Sequence, residues 1–444
     1  MISIFRTLYI SDRFFVVLGF IIVLAAAGFF IPWMYGLSVY LLFIFCAILL
    51  IEAALLYLPS RTTDAHRILP EKMSNGDDNE ITIHIRNHYH FLIDVQVIDE
   101  LPYQLQERNF NIRRQITKVG NTNIRYLVKP FERGEYEFGK LLLYVTTRIG
   151  LVRRRFSFDH HATCAVYPSF IRLRKFDLMA ISDRLVMYGV KKVRRLGHTM
   201  EFEKINEYVT GDDIRTINWK ATAKTGRLMV NQYQDEKSQS VYCIIDTGRV
   251  MKMPFDGLTL LDHAINSCLV VSNVIIRKND KAGLLTFSKK TGQSLPASSQ
   301  AGQMQKIVES LYAVRTDFQE SDFSRLYGYI RSHIAQRSLI LLFTNFETMD
   351  GLNRQLRYIK AIASYHLVVV IFFENTSLNE LSAQKADTKE AMYDKVIAEK
   401  FSYEKKLIVK ALSSYGISSV LTTPDKLTID TINQYILLKS KGRI

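Results

Sequence analysis

Residues 14–51 carry no charged side chain. That run is too long for one helix across a hydrocarbon core about 30 Å thick, which ~20 apolar residues span. It is broken at Ile31-Pro32-Trp33-Met34-Tyr35-Gly36, where Pro and Gly favour a turn and Trp and Tyr suit a membrane–water interface. The pattern predicts spans over residues 14–30 and 37–57, a two-helix transmembrane hairpin inside residues 1–60. Arg6 and Arg13 precede it, and Arg61, His66, Arg67 and Lys72 follow, while the connecting loop has no basic residue. The positive-inside rule then places both termini and the soluble mass in the cytoplasm. A second long apolar run argues against a cleaved signal peptide.

From residue 62 to 168 the period shortens to two. "ITIHIRN" alternates strictly, with Ile81, Ile83 and Ile85 on one face, and "IDVQVIDELP", "NIRYLVKP", "YEFGKLLLYVTT" and "CAVYP" follow with turns at Asn121, Gly134 and Gly150. Short alternating strands at this spacing predict a β-sandwich domain with wet outer faces. Residues 169–237 are mixed, polar and basic, and predict two short helices, a basic loop and a strand over 228–233. From residue 238 to 444 apolar runs at 241–245, 282–287, 339–343, 367–373 and 417–421 alternate with helical patterns, one carrying Leu261, Ile265, Cys268, Ser272 and Ile275 on a single face. Buried strands separated by amphipathic helices predict a doubly wound parallel sheet. The fold class is thus a membrane-anchored α/β multidomain protein.

Composition adds limits. With 48% hydrophobic and 23% charged residues, the 444-residue chain is not disordered, and it is long enough for two or three cores. Lys and Arg number 58 against 43 Asp and Glu, a net +15. Such a balance fits anionic lipid, an acidic protein or nucleic acid, but no nucleic-acid-binding motif accompanies it. Cys46, Cys164, Cys243 and Cys268 are far apart with no C-x-x-C, which suits a reducing compartment. No P-loop, dinucleotide fingerprint, H-E-x-x-H or G-x-S-x-G occurs. Asp159-His160-His161 lies between strands without further metal ligands and reads as a solvated turn. The basic stretch at residues 190–198 reads as a solvated loop, with anionic lipid or an acidic protein as alternative contacts.

The densest chemistry lies in "FEKINEYVTGDDIRTINWKATAKTGRLMVNQY". Gly211 permits a tight turn, and Asp212 or Asp213 can cap the helix that follows. Arg215, Lys220, Lys224 and Arg227 surround Trp219, one of two tryptophans. A buried Trp219 would staple the segment, and an exposed one would anchor an interaction. The expectation is burial for Trp219, exposure for Lys220 and Lys224, and a turn held by pairing of Arg215 with Asp212 or Asp213.

This stretch resembles the bacterial "domain of unknown function 58" family, whose core motif is matched by Glu201, Phe202, Tyr208, Gly211, Asp212, Asp213, Arg215, Ile217, Trp219 and Lys220, with Asn206 where arginine is usual. "PFERGEYEFGKLLLYVTTRIGLVRRR", "AVYPSF" and the N-terminal hairpin are similar too. The resemblance implies a C-terminal von Willebrand factor A-like domain, whose intact versions hold a cation such as Mg²⁺ through D-x-S-x-S, a Thr and a later Asp. Here Asp246 is kept, but Gly248 and Val250 replace the serines and Asn345 stands where the later Asp is expected. Asp246, Ser321 and Asn345 therefore form a degenerate remnant, and neither a metal nor any other cofactor is expected. The implied partner is a MoxR-type AAA+ ATPase. The expected role is a non-catalytic scaffold or adaptor in the bacterial inner membrane, contacting the bilayer and other proteins but not nucleic acid, in assembly or maturation of complexes. The alternative is a metal-dependent hydrolase using Asp212, Asp213 and Asp246.

Overall fold

The computed structural model describes residues 7–59, 62–107, 110–159, 161–169, 200–210, 212, 214–235, 238–255, 257–384 and 388–443. The chain divides into two compact units, Met1–Tyr167 and Pro168–Ile444.

The first unit opens with strand β1 (Leu8–Ile10) and helices α1 (Asp12–Ala27) and α2 (Pro32–Tyr57). Pro32 begins α2 instead of interrupting the apolar run, because a proline at the first helical position gives up an N–H that has no partner there anyway. The turn therefore lies at residues 28–31, earlier than the residue pattern suggests, and Gly36 is helical. The 26 residues of α2 make it about 39 Å long, enough to cross a bilayer, and most of its apolar surface is exposed. At 16 residues α1 is shorter than a full crossing.

Ten more strands follow: β2 (Thr63–Ile68), β3 (Lys72–Ser74), β4 (Asn79–Asn87), β5 (Ile93–Asp99), β6 (Ile112–Ile116), β7 (Asn121–Val128), β8 (Gly134–Phe138), β9 (Leu141–Thr146), β10 (Val152–Phe158) and β11 (Ala162–Tyr167). They form three sheets, ordered β1-β10-β9-β5-β6, β3-β11-β8 and β2-β4-β7. The alternation read from "ITIHIRN" is present: Ile81, Ile83 and Ile85 are fully buried and their neighbours are not. "YEFGKLLLYVTT" is two strands, broken at Gly139-Lys140. All three sheets share one core with Leu56, Phe45 and Ile21 of the helices.

Glu52 of α2 is fully buried at the contact with the sheets. Its carboxylate accepts from Thr147 Oγ1 (2.6 Å) and from the backbone N–H groups of Gly150 (3.0 Å), Leu151 (3.0 Å) and Val152 (3.3 Å). Gly150, at φ +76°, lets the β9–β10 turn aim three consecutive amides at one carboxylate. Nearby, the Arg154 guanidinium donates to the Leu56 carbonyl and lies over the Tyr57 ring, and Tyr89 Oη donates to the same carbonyl at 2.9 Å.

In the second unit β12 (Met200–Glu207) and β13 (Met229–Asp235) form an antiparallel ribbon around the one-turn helix Ile214–Thr216 and α3 (Trp219–Thr225). Beyond it lie β14 (Ser240–Asp246), the short pair β15 (Pro254–Phe255) and β16 (Leu258–Thr259), α4 (Leu260–Arg277), β17 (Lys281–Phe287), β18 (Thr291–Ser298), α5 (Gln303–Tyr312), α6 (Phe323–His333), β19 (Leu339–Phe343), α7 (Met349–Ala363), β20 (Leu367–Phe373), α8 (Thr376–Ala383), α9 (Lys389–Ser414), β21 (Ser418–Thr422) and α10 (Leu427–Ser440). The sheet order is β18-β17-β14-β19-β20-β21, parallel except for the edge strand β18, which returns antiparallel from β17. The sheet is therefore mixed, not purely parallel as expected. A direct polar turn after β17 can only pair antiparallel, since a parallel return needs a crossover. Two cores pack on the two faces. Helix α4 is long and apolar enough to cross a membrane, yet 83% of that stretch is buried, so it is the core helix of this unit.

Candidate functional site

Two places in the second unit concentrate chemistry. The first is the segment between β12 and β13. Asp212 Oδ2 accepts from the Val209 N–H at 3.0 Å, and the Asp212 N–H donates to the Val209 carbonyl at 3.0 Å, closing a local turn. Asn218, not an aspartate, caps α3: its Oδ1 accepts from the Ala221 N–H at 3.0 Å and its Nδ2 donates to Asn231 Oδ1 at 2.8 Å. Its backbone N–H also donates to the Met229 carbonyl at 2.8 Å. Asn218 and the buried Val230 thus attach the segment to the ribbon.

That arrangement corrects the expectation for Trp219. The indole is 69% exposed. A seven-residue helix already attached through its cap residue has no need to bury its first side chain. Val209 and Ile214 are exposed to a similar degree, and Leu228 partly so. Arg215, Lys220, Lys224 and Arg227 are exposed as well, in line with the reading of the two lysines. The segment thus exposes four apolar side chains, one of them aromatic, together with four cations, of which Arg227 pairs with Glu207 at 3.4 Å. Gly211 and Asp213, and the basic stretch at 190–198, lie outside the described residues.

The second place is the carboxyl end of the sheet. Chain connections run from β14 to β17 on one side and reach β19 on the other, so the ends of β14 and β19 flank a switch point of the kind that receives ligands in open α/β sheets. Asp246 ends β14 and is buried. Its Oδ1 accepts from the Ser321 hydroxyl and from the Gly248 N–H at 2.8 Å, and its Oδ2 accepts from Thr344 Oγ1 at 2.7 Å. Burial raises its pKa above the ordinary carboxylate value, and these three donors pull the other way.

Asn345, at the end of β19, is buried, and its Oδ1 accepts from Lys405 Nζ at 2.7 Å. Lys405 comes from α9 and is itself buried. Burial lowers its pKa to about 8, against the opposing fields of Glu347 and Glu374. The amine lines an apolar cavity of about 210 Å³ together with Met253, Phe255, Phe373 and Phe401.

The structure thus brings Asp246 and Ser321 into contact and places Thr344 with them, while Asn345 faces a lysine. These residues do not fit a divalent cation. Both Asp246 oxygens already take protein donors, the Asn345 oxygen takes an ammonium, and the backbone has closed where the family's first serine would stand. A Cβ at Gly248 would lie 2.1 Å from Ser321 Oγ and 3.0 Å from the Gln319 carbonyl. Among the described residues no three His, Cys, Asp or Glu side chains gather as a metal site. Asp212 is exposed and Asp246 buried, so the two carboxylates sit in unlike environments.

Residue-level reading missed Lys405. Its signal was present: Ala398, Lys405, Ile408 and Leu412 form the buried stripe of α9 at helical spacing, and a lysine there is out of place.

Residues 204–384 match the family described as "Protein of unknown function DUF58". The chain is similar to "Uncharacterized protein YeaD" of Bacillus subtilis (strain 168), 22% identical over 272 residues, which are 59% of this chain and 64% of that relative. Among solved structures, the ASH / PapD-like domain of human CEP192 (PapD-like domain 7) aligns over 24% of this chain and 84% of its own at 11% identity, with a TM-score of 0.19. A score that low carries no argument about fold or function.

Proposed function

Because the chain belongs to the DUF58 family over residues 204–384, we propose a role the family description does not supply: a membrane-anchored, non-catalytic scaffold or adaptor. In this reading α1 and α2 form a two-span hairpin in the bacterial inner membrane, with both termini cytoplasmic. The sheets of the first unit form a sandwich beneath it, and the α/β unit is von Willebrand factor A-like without its metal. The partner implied by the family resemblance is a MoxR-type AAA+ ATPase. The ATPase supplies work, and this chain supplies location and choice of client during assembly or maturation of protein complexes.

The observation that carries the adaptor reading is the exposure of Trp219, Val209 and Ile214 in one short segment that also exposes Arg215, Lys220, Lys224 and Arg227. Exposed aromatic and aliphatic side chains, in a segment whose exposed cations outnumber the carboxylates Glu207 and Asp212, have the composition of an interaction anchor for an acidic protein surface. The apolar cavity at Lys405 is a concave feature of the same unit, able to accept a partner side chain. Exposed apolar side chains along α2 support the membrane reading.

The test is affinity capture of the full chain from native membranes, beside Trp219→Ala and Lys220→Glu/Lys224→Glu. Recovery of the ATPase with the wild type, reduced in both variants, is the expected result. Equal recovery with all three proteins would refute the assignment of this surface.

A further inference from the structure

Beside the β9–β10 turn that holds Glu52, a polar cleft of about 400 Å³ opens on the outward face of the five-stranded sheet. Gln96 of β5 and Tyr144 of β9 lie in its floor, and Arg13, Arg113, Arg114 and Arg153 line it. Register explains the convergence. Gln96 pairs with Tyr144 on one side and Arg113 on the other, while Arg153 pairs with Thr146, so all of these project to the same outer face. Arg114 pairs with the buried Val95 and so alternates to the other face of β6, bordering the cleft from the edge strand.

The four guanidinium groups differ in what already holds them. Arg13 donates to the carbonyls of Arg148 and Ile149, at 3.4 and 3.0 Å. Arg153 donates to Gln96 Oε1 at 3.3 Å and lies 3.8 Å from the Asp12 carboxylate. Arg113 and Arg114 are exposed and have no hydrogen-bond or ion-pair partner among the described residues. Asp12 and Asp94 also line the cleft, so it keeps an excess of positive charge.

Its position names the ligand. Arg13 sits in the first turn of α1, and the exposed apolar side chains Phe15, Val16 and Phe20 begin two residues later. At 1.5 Å per residue Arg13 lies about 5 Å from Val16 and about 10 Å from Phe20 along the axis of α1. A molecule with a phosphate in the cleft would lay its tail along Val16 and Phe20, which follow Arg13 at i+3 and i+7 on the same face of α1. Guanidinium groups match phosphate oxygens in paired N–H···O geometry, and arginines at a helix end suit the headgroup level.

We propose that this cleft is a binding site for the phosphodiester headgroup of an anionic phospholipid, with the acyl chains against α1. The proposal rests on the membrane reading of α1 and α2. Occupancy would fix the first unit against the bilayer surface and make its attachment depend on lipid charge.

The full chain is purified in detergent and returned to lipid discs of phosphatidylcholine with or without a minority of phosphatidylglycerol. Lipid retained after a second extraction is weighed by native mass spectrometry. The wild type is expected to retain phosphatidylglycerol over phosphatidylcholine by on the order of tenfold, as two arginines at a lipid surface would give. Arg113→Ala/Arg114→Ala should lose that preference, and Arg113→Lys/Arg114→Lys should keep part of it. All three should melt alike, since both side chains are exposed on an edge strand. A preference unchanged in the alanine variant overturns the site. Displacement of the retained lipid by inorganic phosphate alone shows a free-anion site and overturns the lipid assignment. Entry into discs without any headgroup preference overturns the lipid site only, whereas failure to enter discs overturns the membrane reading and the site with it.

Discussion

Glu52→Ala is the most informative single perturbation of the first unit. The native carboxylate accepts four hydrogen bonds, from the Thr147 hydroxyl and the amides of residues 150, 151 and 152. Alanine leaves all four donors buried with no acceptor, and also removes a side chain buried at the helix–sheet contact. A buried donor without a partner costs about 1–3 kcal/mol, and relaxation of the turn with entry of water keeps the four losses from adding in full. We take about 3–5 kcal/mol for the whole, which for a unit of this size is a fall in Tm of very roughly 6–20 °C. Glu52→Gln retains one acceptor oxygen but turns an NH₂ group toward backbone N–H donors, and should lose about half as much. The assay is thermal unfolding of the full chain in lipid discs, with proteolysis of the first unit as readout. A Tm within about 1 °C of wild type for Glu52→Ala would refute the reasoning that this carboxylate organises the turn.

Trp219→Ala should change stability by no more than about 0.5 kcal/mol by thermal melt, because the indole is exposed, while weakening partner capture by about 2 kcal/mol. A fall in Tm like that of a core truncation would restore the buried reading. Gly248→Ser should destabilise the second unit by about 1–3 kcal/mol, since its Cβ meets Ser321 Oγ, and should not create Mg²⁺ binding by calorimetry. Micromolar Mg²⁺ affinity in wild type or variant would contradict the closed geometry. Burial lowers the pKa of His366, whose Nδ1 has no partner. Between its depressed folded value and the unfolded value near 6.5 the native state binds fewer protons, so the contribution is complete above about pH 6.5 and is lost as pH falls through the folded value. The stability of His366→Gln relative to wild type should therefore rise on acidification across that window, as read by denaturant melts. A difference independent of pH would count against it.

The architecture was legible where the residues themselves impose a period. The isoleucines of β4 alternate, the apolar runs at 339–343 and 367–373 coincide with β19 and β20, and the face of α4 carries Leu261, Ile265 and Cys268 as spaced. Legibility failed where local chemistry is ambiguous. Pro32 can end or begin a helix, and only the preceding turn decides which. The antiparallel edge strand β18 is polar and short of aliphatic residues, so its sequence carries little strand signal. For Trp219 composition could not choose between staple and anchor, because the attachment is made by Asn218 and Val230, which draw no notice in the sequence. The Asp246–Ser321 contact was anticipated as a remnant pair, but the ammonium at Asn345 comes from a helix sixty residues later and only the fold brings it there.

The measurement that tests the adaptor account most directly is site-specific photo-crosslinking from position 219 in native membranes, followed by identification of the products. A photoreactive residue replacing Trp219 should give a crosslink to an AAA+ ATPase in the membrane fraction, lost when Lys220 and Lys224 are made acidic. A full-length, membrane-inserted chain that yields no protein crosslink at 219 would contradict the account.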